Sequence, residues 1–234
     1  METHMENNKM LYSHVSVDCV LLGVNEDKLC VLLIERQMDN SDEKRYKLPG
    51  SLIFENEDLD TAAHRVFNEA TGLKRVPLKQ FRSFGSPSRT KNKDDMQWLE
   101  NAMKLKIERI VTVAYLALSK IGRKSNPTNK YNSLAWFPVD ALPSLPFDHK
   151  EIIEAAVEEI REWVEKEPSI IFDYLPLKFT AYQLRRTYEI IYNKEMDVRN
   201  FHKKMGSLEY IVQTDEIETG VAHRAARYYR FDKV

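Results

Sequence analysis

The chain has 234 residues, with 35 Lys and Arg against 36 Asp and Glu, a net charge of −1, and 43% hydrophobic residues. This apolar content is enough for a packed core. The near-zero net charge excludes a strongly basic protein that binds polyanions over its whole surface. No stretch approaches 18 apolar residues, so no membrane span is predicted, and the polar first ten residues predict no signal peptide. We therefore expect a cytoplasmic protein of one large or two small domains.

The charge is unevenly distributed along the chain. Residues 1–174 carry 24 Lys and Arg against 28 Asp and Glu, whereas residues 175–234 carry 11 against 8. A basic C-terminal part is a mild indication of nucleic-acid binding, although chance variation would also explain it. Cys19 and Cys30 lie in apolar runs and are expected to be buried thiols in a reducing compartment.

Two apolar, β-branched runs near the N-terminus predict a hairpin. The strands are expected over residues 15–22 and 29–34, with a turn-rich segment between them. Asp18 stands inside the first strand, either at an exposed position or as a hydrogen-bond acceptor that lines a cavity. A helix is predicted over residues 59–71, where apolar residues recur at three- and four-residue spacing, and Gly72 supplies its C-terminal stop.

The stretch over residues 48–73 resembles a Nudix box, the loop–helix–loop that holds metal and pyrophosphate in Nudix hydrolases. Three residues fall on the family's polar positions: Glu57, Arg65 and Glu69. Three others depart from the pattern, where the family has Gly, Glu and Glu: Ser51, Val66 and Ala70. Magnesium needs oxygen ligands, and a helix that keeps one of three such carboxylates is too poor for two-metal chemistry. The resemblance therefore implies a Nudix fold without catalysis, and neither a metal site nor a cofactor is expected.

Further segments resemble the NrtR-like group of Nudix-related transcriptional regulators. They cover residues 84–89, 111–118, 134–139 and 145–149. The group implies an α+β fold with two domains. Residues 12–168 would form a Nudix-like α/β/α sandwich with a mixed sheet, and residues 169–234 a winged helix-turn-helix.

An insert over residues 90–108 is longer than the hairpin that is usual in this group. Met96, Leu99 and Met103 share one face of a predicted short helix. We expect this helix to act as a lid or a dimer contact, and the alternative is a solvated loop.

The last sixty residues have the plan of a winged helix. Thr180 and Gln183 form a capping box before one helix, and Asp197 caps a second helix that is expected to stop at Gly206. In such modules the second helix enters the major groove of DNA. An ordinary α+β domain with solvated basic residues, or a protein-interaction module, would be the alternatives. The residues expected to contact a double-stranded operator are Thr180, Arg199, Asn200, His202, Lys203, Lys204, Arg224 and Arg227.

The resemblance implies a homodimeric, nucleoid-associated transcription factor whose Nudix-like domain senses a small molecule. Some members of the group sense ADP-ribose, and others sense a sugar, including an arabinose-responsive branch with a long insert and a poor Nudix box. The lost carboxylates favour a sugar, most simply L-arabinose, with repression of sugar-utilisation genes.

Two alternatives to the sugar sensor stay open. One is an ADP-ribose sensor, and the other is a residual Nudix hydrolase with a nucleic-acid-binding appendage. In an ADP-ribose sensor the pyrophosphate would need cations, which four arginines could supply: Arg65, Arg82, Arg89 and Arg109. The predicted effector site comprises Asp18, Lys47, Ser51, Glu69, Arg82, Phe84 and Arg89.

Overall fold

A computed structural model describes residues 11–25, 27–36, 44–73, 76–118, 134–222 and 224–232. The N-terminal elements are β1 (Leu11–Asn25), β2 (Lys28–Arg36), β3 (Arg45–Lys47), β4 (Gly50–Phe54), α1 (Leu59–Thr71), β5 (Lys79–Phe84), α2 (Lys93–Met103), β6 (Val111–Leu118), β7 (Leu134–Pro138) and α3 (His149–Lys166). The C-terminal elements are a 3-10 helix (Pro168–Asp173), β8 (Lys178–Thr180), α4 (Ala181–Tyr192), α5 (Val198–Gly206), β9 (Ile211–Ile217) and β10 (Arg227–Phe231).

The N-terminal strands form one seven-stranded sheet. Its order is β3-β2-β1-β6-β5, with β4 also paired to β1 and β7 also paired to β2. The predicted pairing of the first two strands is confirmed, and both are longer than predicted because polar residues at their ends continue the extended backbone.

The core on one face of this sheet lies against α1. Every second residue of β1 over positions 17–21 joins the cluster, together with four apolar residues of the helix. Asp58 caps the helix by accepting the N–H of Thr61 at 2.7 Å, and Gly72 ends it in the left-handed conformation at φ 69°. The predicted bounds of this helix are confirmed, since both ends follow from local capping rules.

The insert forms α2, which packs against the N-terminal part of the protein. Met96, Leu99 and Met103 contact a small core cluster of Leu52, Ile107 and Ile110. The predicted apolar face is confirmed, and the solvated loop is excluded because this face is covered. Its role as a lid or a dimer contact stays a prediction.

The C-terminal elements form a second sheet and two helices. The sheet has the order β8-β10-β9. The capping box of α4 is confirmed, with the N–H of Gln183 donated to the Thr180 hydroxyl and the Gln183 side chain accepting the Thr180 N–H. The predicted stop at Gly206 is confirmed, with this residue as the last one of α5 and Ser207 as the cap residue.

The described residues cluster into two compact units. The Nudix unit contains residues 11–22, 30–36, 44–73, 76–117 and 134–156, and the winged-helix unit contains mainly residues 157–222 and 224–232. The domain boundary predicted after residue 168 stays a prediction. Both cysteines are buried and neither forms a disulfide bond, as expected. Among the described residues, no helix is long and apolar enough to span a membrane.

Candidate functional site

A buried ion cluster joins three distant parts of the Nudix unit. Arg89 donates from Nη2 to Oδ2 of Asp18 at 2.9 Å and from Nη1 to Oδ1 of Asp148. The side chains of Arg89 and Asp18 are each 5% exposed, and that of Asp148 is 10% exposed. A guanidinium has five donors in a planar fork, which suits it to hold two carboxylates at once.

The same cluster fixes the loop that leads into the Nudix box. The N–H of Leu48 donates to Nδ1 of His149 at 3.1 Å, and Nζ of Lys47 donates to the carbonyl oxygens of Leu48 and Gly50. A β-carbon at Gly50 would collide with Oδ1 of Asp18, so only glycine fits there. His149 therefore has a structural role, since it holds the backbone of this loop.

The protonation states in this cluster follow from burial and neighbouring charge. Burial works to raise the pKa of Asp18, but the neighbouring His149, Arg89 and Lys47 outweigh it and hold that pKa below its usual value. Burial lowers the pKa of His149 to about 3, against the attraction of Asp18. A neutral imidazole also agrees with Nδ1 acting as an acceptor for the Leu48 N–H.

The predicted effector residues are divided between separate places. Asp18, Lys47 and Arg89 are buried in the ion cluster, where they bind one another or the backbone. Side chains alternate along a strand, so Asp18 points away from the sheet face that Val17 and Cys19 share with α1. Glu69 lies on α1, which packs on the face of the sheet opposite to Asp18. The structure thus does not bring Asp18 and Glu69 into one pocket.

One arginine forms ion pairs with both carboxylates of the Nudix box. Both oxygens of Glu57 accept from Arg65, at 2.6 and 2.8 Å, and Nη1 of Arg65 lies 3.7 Å from Glu69. The N–H of Phe54 also donates to Glu57, and the guanidinium of Arg65 lies 4.2 Å from the centre of the Phe54 ring. Burial works to lower the pKa of Arg65, but the hydrogen bonds and charge of Glu57 outweigh it and raise that pKa.

This arrangement does not fit a magnesium ion. Val66 and Ala70, which stand where the family has carboxylates, are fully buried apolar residues in the helix–sheet core. Among the described residues, no group of three His, Cys, Asp or Glu side chains is placed to hold a metal. The residues at the box therefore do not fit a metal centre.

The remaining predicted effector residues lie on or beside β4 and β5. Ser51 is half-buried and pairs with Val17 across β4 and β1. Arg82 is exposed on β5, and Phe84 is half-buried at its end, with its ring 6.5 Å from that of Phe81. Arg109 is exposed and donates to the carbonyl of Gly85, directly after β5, at 2.8 Å. This end of β5 thus carries two accessible guanidinium groups.

Sequence reasoning did not identify a second buried ion pair, which anchors α2. Nη1 of Arg36 donates to Asp95 at 2.5 Å, and the guanidinium lies 4.0 Å from the centre of the Trp98 ring. Asp95 also accepts the N–H of Phe147. These contacts join residues 52 to 59 positions apart, so no local pattern could have indicated them.

The winged-helix unit exposes a cationic helix face. Phe201 and Met205 of α5 are buried, and the Phe201 ring contacts that of Tyr188 on α4. The predicted DNA-contacting residues of α5 are all exposed: Arg199, Asn200, His202, Lys203 and Lys204. Arg224 and Arg227 are exposed at the wing, whose base is closed by the N–H of Glu218 donating to Ala226 at 2.9 Å.

A buried carboxylate sets the turn between α4 and α5. Glu189 accepts from Arg185, from Nη1 of Arg186 at 2.7 Å and from the N–H of Met196 at 2.9 Å. Burial works to raise the pKa of Glu189, but the Met196 N–H and the two arginines outweigh it and lower that pKa. This carboxylate thus joins two arginines of α4 to the backbone of the turn.

Thr180 is placed differently from the other predicted DNA contacts. It is 2% exposed, and its hydroxyl already serves as the N-cap of α4. This burial opposes a direct side-chain contact between Thr180 and DNA.

Comparison with known proteins agrees with both units. The family model described as NUDIX domain matches residues 12–156, and the one described as NrtR DNA-binding winged helix domain matches residues 171–231. The ADPR responsive transcriptional repressor NtrR of Acinetobacter baylyi is 27% identical over 222 residues, covering 93% of this chain and 81% of the relative.

Solved structures share the fold along nearly the whole chain. Shewanella oneidensis NrtR complexed with a 27mer DNA has a TM-score of 0.69 at 22% identity, covering 93% of each chain. The MutT/nudix family protein from Enterococcus faecalis has a TM-score of 0.66 at 23% identity, covering 99% of this chain and 90% of that one.

The chain therefore belongs to the NUDIX domain family, as an NrtR-like transcriptional regulator that joins a Nudix domain to a DNA-binding winged helix. The predicted fold class and the predicted class of regulator are confirmed. The preference for a sugar and for the arabinose-responsive branch finds no support, since the Acinetobacter relative responds to ADP-ribose.

Proposed function

We propose that this protein is a transcriptional repressor that binds operator DNA through its winged helix and senses ADP-ribose through its Nudix unit. The observation that carries the proposal is its similarity to an ADPR-responsive repressor along 93% of the chain, which spans both units. ADP-ribose replaces L-arabinose as the expected effector.

Arg82 and Arg109 are the residues that we assign to the pyrophosphate of the effector. Arg65 and Arg89 hold carboxylates at short distances, so a ligand would have to break those ion pairs to use them. Arg82 and Arg109 are exposed at the same end of β5, beside Phe84. Exposed guanidinium groups suit the pyrophosphate of an anionic nucleotide, because arginine binds phosphate oxygens in a fork.

We further propose that the Nudix unit does not hydrolyse its effector. The apolar residues at positions 66 and 70 and the pairing of Glu57 with Arg65 support this proposal, because they leave too few carboxylates for a two-metal centre.

The protein is expected to act as a homodimer on a two-fold operator. A single winged helix buries too little DNA for operator-level specificity, and two linked modules solve this by reading two half-sites. ADP-ribose would act by its differential affinity for the dimer arrangements that do and do not fit the operator.

The effector is tested by thermal unfolding of the full chain with ADP-ribose, L-arabinose, and a mixture of AMP and ribose 5-phosphate. A ligand at one hundred times its Kd adds about 2.7 kcal/mol of stability, a shift of roughly 5–10 °C for a chain of this size. We expect this shift with ADP-ribose, and a tenfold or greater loss of affinity in R82A and R109A. Lys150→Ala, on the exposed start of α3, is the matched control for loss of one surface cation.

Three results would each refute one part of the proposal. A shift with L-arabinose alone would refute the ADP-ribose assignment and restore the sugar sensor. Unchanged affinity in R82A and R109A would refute the assignment of those two arginines while leaving the effector intact. Magnesium-dependent turnover of ADP-ribose that disappears in Glu69→Gln would refute the absence of hydrolysis.

A further inference from the structure

The recognition helix α5 has two opposite faces. Phe201 and Met205 are buried on one side, against α4. Arg199, Lys203 and Gly206 follow one another at spacings of four and three residues, so they share a stripe on the other side. Arg199 and Lys203 are exposed, and the stripe therefore faces solvent in the free protein.

The fold itself gives no reason for glycine at position 206. The positive-φ glycines of the described residues are Gly72 and Gly220, so Gly206 does not supply a left-handed turn. Apart from its chain neighbours and the nearby backbone of α5, a β-carbon at position 206 would meet no atom of the described residues within 4 Å, so no packing contact excludes a side chain either. Glycine inside a helix destabilises it relative to alanine, because the free backbone loses more entropy on folding.

We propose that Gly206 is the point at which the sugar–phosphate backbone of operator DNA comes closest to α5. Glycine is used where another backbone or ligand must approach closely, and in the homeodomain variant of the helix-turn-helix the C-terminal end of the recognition helix contacts the DNA backbone. Lys203 and Lys204, in the same last turn, supply the positive charge that draws a phosphate to this place. The proposal rests on DNA binding by the winged helix.

A side chain at position 206 would stand between the helix and the phosphate. Even a methyl group would displace the last turn of α5 from the backbone, and the contacts of Arg199 and Lys203 along the same stripe would lengthen with it. The substitution should therefore weaken binding to specific and non-specific DNA alike, because a backbone contact carries no base sequence.

The test compares Gly206→Ala and Gly206→Leu with the wild-type full chain on an operator selected from a random DNA library. We expect the alanine variant to unfold about 1–3 °C higher than the wild type while its Kd for DNA rises about tenfold, with a larger rise for leucine. The slope of log K against log salt should fall by about one, corresponding to one lost phosphate contact. Ala102→Leu, which enlarges an exposed side chain on α2, is the matched control and should leave DNA affinity within twofold.

The two substitutions separate the possible explanations. DNA affinity within twofold of wild type in G206A and G206L would overturn the proposal, as would a lower unfolding temperature for G206A, because the glycine would then serve the fold. A wild-type protein that binds no DNA would instead refute the DNA-binding role itself, which the wild-type titration alone reveals.

Discussion

Arg89→Met is expected to destabilise the Nudix unit strongly. Arg89 is the shared partner of Asp18 and Asp148, and its loss would leave two buried carboxylates without their main cation. Removing one partner of a buried ion pair costs about 3–5 kcal/mol. Lys47 still lies near Asp18, so we expect the lower end, about 3 kcal/mol, which is a large part of the roughly 5–15 kcal/mol that stabilises a domain.

The pH dependence of this loss identifies its cause. In the wild type the pKa of Asp18 is lowered, so its contribution to stability is present above the unfolded pKa and is lost as pH falls through the folded pKa. Without Arg89, burial dominates and raises the pKa of Asp18, so the variant gains relative stability as pH falls and the carboxylate takes up a proton. The difference in the free energy of unfolding between wild type and variant should shrink from pH 7 to pH 5.

Urea denaturation, followed by tryptophan fluorescence at pH 7 and pH 5, measures both quantities. Arg82→Met is the matched control, because Arg82 is exposed on β5, and it should change the free energy of unfolding by less than about 0.5 kcal/mol. The double variant R89M/D18N should recover part of the loss at pH 7, because it removes one uncompensated charge. A loss below about 1 kcal/mol in R89M, or a loss that does not depend on pH, would refute the ion cluster as the main tie between these segments.

Three further predictions concern the remaining contacts. Gly50→Ala should lower the free energy of unfolding by about 2–3 kcal/mol in urea titrations, because its β-carbon would displace a buried carboxylate and lies 3.0 Å from a backbone oxygen. Glu189→Gln should lower the melting temperature of the winged-helix unit at pH 7. The difference should narrow as the pH falls through the lowered pKa of the wild-type carboxylate, which then takes up a proton and loses its stabilising charge. Lys203→Ala should reduce the salt dependence of DNA binding by about one phosphate, measured by fluorescence anisotropy.

The Gly50 and Lys203 predictions each have a matched control in the chain. Gly85→Ala places its β-carbon 3.2 Å from a single valine methyl group and should cost less than about 1 kcal/mol. Equal losses at the two glycines would contradict the crowding described at Gly50. Lys194→Ala, in the turn between α4 and α5, should leave the salt slope unchanged, and an equal drop there would mean that Lys203 has no special place at the DNA.

Local sequence rules predicted the helices of this protein well. Asp58 and Gly72 bound α1, and Thr180 with Gln183 begins α4, because each cap satisfies backbone groups within a few residues of itself. The end of α5 at Gly206 was also predicted, although glycine commonly ends helices in a left-handed conformation and Gly206 does not adopt it.

The ion clusters could not be predicted in this way. Arg89 lies 71 positions from Asp18 and 59 from Asp148, and nothing in the sequence near any of them indicates its partner. An acidic residue within a strand, such as Asp18, can equally well be exposed or line a cavity. Its actual environment depends on Arg89, which lies in a loop far along the chain. The effector residues proposed from sequence were therefore divided by the fold between a buried network and an exposed sheet edge.

The pairing of Glu57 with Arg65 has a consequence for how the protein would behave in a cell. The carboxylate that shapes the Nudix-box loop has its counter-ion on the same chain, because Arg65 follows Glu57 by eight residues, about two helical turns. The Nudix-box loop does not need a bound metal ion to keep its conformation. We therefore expect the conformation of this region to be the same in magnesium-rich and magnesium-poor conditions. A regulator built in this way reports on its effector without also reporting on the ionic state of its surroundings.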